Sequence, residues 1–250
     1  MAVSSSRGAL PDGEYVEFVK LILFDVDGTL LDPGGLSRRS FLSAIRRHIG
    51  PTAIIGQYSL SGKTDPQIVK DLLLQNGLPV GQIDQAASKA LRSYQSHYLS
   101  HLKKARVKPL AGARELIERL SAVKSAQFVL GILTGNMEQL VAPKLEAVGI
   151  PISSFALGAF GSDDANRGNL PAIAIERVER LFGITVLPHE VAIVGDTPLD
   201  VACARDFGAV SIVVASGDYT YTQLRATSPT YVLRSLSAWS ELEQDLCLGV

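Results

Sequence analysis

The 250-residue chain carries a formal net charge of −1, with 46% hydrophobic and 20% charged residues. It is long enough to bury a full core, as one large domain or as one domain with a small insert, and its composition is ordinary for a globular protein. A charge so near zero gives no global field toward nucleic acid or an anionic membrane, and no apolar run reaches the roughly 20 residues of a bilayer span, so a bound anion must be held by local groups.

Met1 to Lys20 hold one early Arg7, then Gly, Pro and acidic residues, without the apolar stretch of a secretory leader. Lys20-Leu21-Ile22-Leu23-Phe24 reads as a strand that is apolar on both faces. From about Pro33 to Arg106 the pattern is helical without a convincing strand: Phe41, Leu42 and Ile45 share one face, Ile68, Val69, Leu72 and Leu73 another, and Ala87, Leu91, Tyr94 and Tyr98 a third. A segment of that length cannot be a structureless loop, so it is expected to fold as a small helical module that returns near Pro109-Leu110-Ala111-Gly112. Beyond it, strands are expected at Phe128 to Leu133, Val191 to Val194 and Val210 to Val214, with a short one at Tyr231-Val232-Leu233. Helices are expected at Ala113 to Val123, Glu138 to Val148 and Leu170 to Phe182, after Val194 with Pro198 in its first turn, and near Ser237 to Cys247. This alternation predicts an α/β fold, a Rossmann-like parallel sheet flanked by helices, with an inserted helical cap. The expected division is a core of residues 1–32 and 107–250 and a cap of residues 33–106. Cys203 and Cys247 fall in different expected helices and read as two thiols in a reducing cytoplasm.

Three strand ends carry the chemistry. In Phe24-Asp25-Val26-Asp27-Gly28-Thr29-Leu30, two carboxylates two residues apart repel unless a cation or proton is shared, which fits either metal binding or a nucleophile paired with an acid. Gly28 allows a sharp turn, and Thr29 can hydrogen-bond back to a carboxylate. Leu133-Thr134-Gly135-Asn136 presents a hydroxyl and backbone N–H groups suited to an anion, or simply caps a helix. In Gly195-Asp196-Thr197-Pro198-Leu199-Asp200 the two carboxylates suit magnesium, with helix capping as the plainer alternative.

These three strings resemble motifs one, two and four of the haloacid dehalogenase-like (HAD) hydrolase superfamily, in its helical-cap subgroup and similar to phosphoglycolate phosphatase-type enzymes. The resemblance implies a magnesium-dependent phosphatase acting on a small phosphate monoester through an aspartyl phosphate. Asp25 would be the nucleophile, and Asp27 the acid and then the base. Mg²⁺ would be held by the carboxylates of Asp25 and Asp196 and the backbone carbonyl of Asp27, with Asp200 supporting the metal shell. Thr134 would bind phosphoryl oxygens, with Gly28, Thr29, Gly135 and Asn136 around the substrate. The motif-three cation is assigned to Arg167 in Ser162-Asp163-Asp164-Ala165-Asn166-Arg167-Gly168-Asn169-Leu170-Pro171, where many members have Lys followed closely by Pro. A guanidinium can replace that ammonium, whereas the plainer alternative is a loop arginine pairing with Asp163 or Asp164. Ser61-Gly62-Lys63-Thr64-Asp65 resembles the cap loop that faces the cleft, with Lys63 available to an anionic substrate group. A phosphomutase of the β-phosphoglucomutase type is the runner-up, and a non-catalytic binding module on the same scaffold is the alternative of another class. The expected partner is a small phosphate ester rather than nucleic acid or membrane, and the oligomeric state is left open.

Overall fold

The computed structural model describes residues 8–9, 15–16, 20–123 and 128–246. Six strands make one parallel sheet: β1 Leu21–Phe24, β2 Val129–Thr134, β3 Leu157–Phe160, β4 Val191–Gly195, β5 Val210–Val214 and β6 Tyr231–Leu233. Their spatial order is β6-β5-β4-β1-β2-β3. Successive side chains of a strand point to opposite faces, and β1 shows the result. Ile22 and Phe24 join the cluster that contains Leu116 and Ile117 of α4 (Ala113–Ser121) and Val141 and Leu145 of α5 (Glu138–Ala147). Leu21 and Leu23 join the cluster of Leu170, Ala174 and Val178 on α6 (Leu170–Phe182) and Ala204 on α7 (Pro198–Phe207). Helices therefore cover both faces, which is why these strands are apolar throughout. The expected α/β fold with a parallel sheet and an inserted helical region is found.

The insert supplies three helices, α1 Leu36–Ile49, α2 Asp65–Gln75 and α3 Ile83–Leu102. Phe41, Ile45, Ile68, Val69, Leu72, Leu73, Ala87, Tyr94 and Tyr98 pack into a separate apolar cluster, with Phe41 stacked on Tyr94 at 3.9 Å between ring centroids. At its base Leu31–Asp32 pairs antiparallel with Lys108–Pro109, so the outgoing and returning chain run side by side.

The closing segment differs from expectation. Leu236–Glu241 is a 3₁₀ helix rather than an α-helix, and Cys247 lies outside the described residues. Its buried residues Leu236, Trp239 and Leu242 recur every three positions, the period of a 3₁₀ turn. Trp239 packs on Phe24 at 5.9 Å between centroids, which ties the chain's end to the first strand of the sheet. Among the described residues no helix is long and apolar enough to cross a membrane. Trp239→Ala is expected to cost about 3–5 kcal/mol of stability, as for other fully buried aromatics, read as a lower urea midpoint at unchanged slope.

Candidate active site

After β3 the chain crosses to the far side of β1 to start β4, so the strand order reverses between β1 and β4. At such a switch point the connections lead away to opposite sides and leave a crevice at the strands' carboxyl ends. Asp25 leaves β1, Thr134 ends β2 and Asp196 leaves β4 at that edge, beneath the cap. All three line a cavity of about 560 Å³, together with Asp27, Asn136 and Arg167.

Asp25, Asp196 and Asp200 are buried and each offers a carboxylate oxygen within 4.8 Å of the others. Burial, then the neighbouring Asp200 charge acting against the pull of Arg167, pushes the Asp25 carboxyl up to about 6. Burial and the charges of Asp200 and Asp25 push Asp196 well above the usual carboxylate range. With Asp27 the core side counts four carboxylates against two buried cations, Arg167 and Lys144, a formal excess of two negative charges. A set of hard oxygen donors with that excess fits a divalent cation. The donors are not equivalent. Asp200 Oδ1 accepts from Arg167, and its Oδ2 accepts from the backbone N–H groups of Asp196 and Thr197 and from the Thr197 hydroxyl. It is thus the partner of N-cap Thr197 in a capping box as well as the brace of Arg167. Asp25 and Asp196 are the freer carboxylates.

Gly28 has φ of 85°, and a Cβ there would lie 2.3 Å from Asp196 Oδ2, so the turn after β1 comes this close only with glycine. Thr29 is fully buried outside the cavity lining, and its hydroxyl donates to Asp196 Oδ1 at 3.3 Å. There it braces a carboxylate. Asp25 accepts from Val26 N–H at 2.7 Å and is paired with Arg167 Nη2 at 3.2 Å. Arg167 is buried and directed at Asp25 and Asp200, while Asp163 pairs with Arg177. The loop-arginine alternative is therefore not realised. Asp27 Oδ1 and Arg167 Nε are buried without a hydrogen-bond partner among the described residues, two polar atoms available to an incoming group.

The cap loop is docked on this edge. Asp65 N–H donates to Gly135 O at 2.7 Å, and the Thr64 hydroxyl to Ala165 O at 2.6 Å. A Cβ on Gly135 would lie 2.2 Å from Lys63 O, so Gly135 serves the cap–core approach. Lys63 lines the cavity, but its ammonium is shared by the Tyr58 hydroxyl at 2.8 Å and Asp71 at 3.4 Å.

The sequence reading missed Lys144 and placed Asp65 only within the cap loop. Lys144 on α5 is completely buried and reaches Asp27 Oδ2 at 2.6 Å and Asn136 Oδ1 at 2.9 Å. Asp65 opens α2, is also buried, and accepts from Met137 N–H at 2.8 Å. The available signal for Lys144 is its place in the stripe Leu140, Lys144, Val148, where helical spacing puts a charge among core residues.

The family model described as haloacid dehalogenase-like hydrolase matches residues 22–205. A protein of Dickeya dadantii named probable phosphatase IndB is 27% identical, the match covering 87% of this chain and 90% of that protein. A phosphoglycolate phosphatase of Chromobacterium violaceum is 26% identical over 81% of this chain and 87% of its own length. Among solved structures, a hydrolase from Pseudomonas syringae superposes with a TM-score of 0.70 at 20% identity, covering 90% of this chain and 98% of its own.

Crowded carboxylates that hold protons without a cation must release them to bind one, so apparent affinity for a divalent cation is expected to rise as pH increases through about 6. Calorimetric titration at several pH values, in buffers of different ionisation heat, reads both the affinity and the proton release; affinity independent of pH would contradict the arrangement. Asp196→Asn is expected to raise the melting temperature in chelator by a few degrees, because an amide bears neither the crowded charge nor the cost of suppressing it by proton uptake, and to abolish stabilisation by added cation.

Proposed function

The chain belongs to the haloacid dehalogenase-like hydrolase family, and from that premise we propose that it is a magnesium-dependent phosphatase of small phosphate monoesters working through an aspartyl phosphate. The observation that carries the reading is the juxtaposition of Asp25, flanked by Arg167, with Asp27, whose Oδ1 has no partner among the described residues. An Asp25 oxygen attacks phosphorus as the ester P–O bond breaks, and Asp27 gives its proton to the departing oxygen. Asp27 then takes a proton from water as that water attacks the phosphoaspartate, and inorganic phosphate leaves with Asp25 restored. Splitting one displacement into two is the gain from a covalent intermediate.

A carboxylate approaching a phosphate dianion meets repulsion that positive groups must offset. Arg167 supplies one, with Nε free for a phosphoryl oxygen. Magnesium, held by Asp25, Asp196 and the Asp27 carbonyl with Asp200 in support, would neutralise charge on the phosphoryl oxygens. Thr134, Gly135 and Asn136 offer further donors, while Gly28 and Thr29 shape the metal side. In this reading residues 1–32 and 107–250 are the catalytic core and residues 33–106 the cap, which closes the cavity and selects the substrate with Lys63 among its contacts. The names of the curated relatives favour a phosphoglycolate-like ester.

Phosphate release from a panel of small esters, with magnesium and with chelator, tests this. Asp25→Asn is expected to lower kcat at least about 10³-fold, and Asp27→Asn about 10²–10⁴-fold, with binding of inorganic phosphate retained in both. Sugar phosphate isomerised without phosphate release would point to the mutase instead, and folded, magnesium-loaded protein silent in both assays to the binding module.

A further inference from the structure

A lysine with no exposed surface is rare unless its charge is matched, because desolvating an unpaired ammonium is costly. Lys144 is matched on several sides. Its ammonium donates to Asp27 Oδ2 and Asn136 Oδ1, and it stands 4.8 Å from the Tyr98 ring centroid. Asn136 Nδ2 in turn donates to the same Asp27 Oδ2 at 3.3 Å. From the cap, Asp65 lies within electrostatic reach of both Lys144 and Asp27. Asp65 itself is fixed by Met137 N–H, the Tyr94 hydroxyl at 3.4 Å and its own N–H bond to Gly135 O.

The consequence concerns the two oxygens of Asp27. Oδ2 receives two donors, so it is a poor place for a proton, whereas Oδ1 is buried and without a partner among the described residues. We propose that Lys144 is the positioning residue for the acid–base step: with Asn136 it pins Asp27 Oδ2, so that the proton Asp27 gives and takes is carried on Oδ1 toward the substrate. This rests on the phosphatase reading above and adds a residue to it. Arg167 and Lys144 then divide the labour, one cation holding the nucleophile and the other orienting the proton donor. A carboxyl free to rotate would present either oxygen, and a proton donor must lie within hydrogen-bond reach of the leaving oxygen.

The test compares two ester classes with the full chain and magnesium. p-Nitrophenyl phosphate has a leaving oxygen that departs without a proton, whereas the alkyl esters phosphoglycolate and glycerol phosphate need one. For Lys144→Met, kcat/KM on the alkyl ester is expected to fall about 10²–10³-fold, and at least tenfold further than on the aryl ester, because this ratio reads only the steps up to departure of the leaving oxygen, before Asp27 acts as base. Equal falls on both classes would overturn the role. Because Lys144→Met alone strands a carboxylate, the pair Asp27→Asn/Lys144→Met is measured against Asp27→Asn as well; with Asp27 already neutral, losing Lys144 is expected to change aryl turnover by less than about twofold. A further tenfold loss there would show that Lys144 does not act through Asp27. Wild-type protein that turns over neither ester would instead overturn the phosphatase reading itself.

Discussion

Like charges brought close together away from water resist being brought there, and this edge of the sheet is built on that resistance. β1 and β4 are hydrogen-bonded neighbours, so the carboxylates that follow them have no room to separate. Gly28 removes the last steric spacer, and Thr29 and Thr197 hold Asp196 and Asp200 by their hydroxyls. The crowding is balanced in part by Arg167 and Lys144, both drawn from helical segments that pack beside the sheet rather than from the strands themselves. What remains unbalanced is a formal excess of negative charge, which favours a bound cation. A relaxed arrangement would be more stable and would bind a cation less well.

The cap depends on the same edge. Its loop meets the core through backbone atoms, Asp65 N–H on Gly135 O and Lys63 O against Gly135, and a glycine on the core side makes that approach possible. Buried Asp65 carries an acid from the cap into the neighbourhood of Lys144, and burial, opposed by Lys144, pushes its carboxyl up to about 7. Cap position and active-site electrostatics are therefore joined through one side chain.

Much of this was legible in the sequence because strand-end motifs are local: Asp25 and Asp27 adjoin an apolar strand, and Asp196 and Asp200 straddle a proline that starts a helix. The alternation of strands and helices was legible for the same reason, with Leu170–Phe182 and Val210–Val214 found at their expected ends. Other features depend on partners far along the chain. Lys144 meets Asp27 across 117 positions, and on an amphipathic helix a lysine ordinarily reads as a surface residue. The strand Leu157–Phe160 contains Gly158 and Ala159, too little side chain to announce itself, and gains its pairing from β2. The Leu31–Asp32 pair with Lys108–Pro109 is only two residues deep on each side, and its spacing carries no period. The closing helix, expected near Ser237 to Cys247, is wound as 3₁₀ over Leu236–Glu241, a winding that so short an apolar pattern does not distinguish.

That two-residue pair at the foot of the insert has an evolutionary meaning. The chain departs and comes back through adjacent, hydrogen-bonded positions, Leu31 beside Pro109 and Asp32 beside Lys108. An excursion whose two ends are already joined can grow, shrink or change its helices while the register of the parallel sheet stays untouched. The half of the enclosure that the insert supplies is thus free to drift at a different pace from the half that carries the carboxylates, and the cavity's lining could change without rebuilding that half.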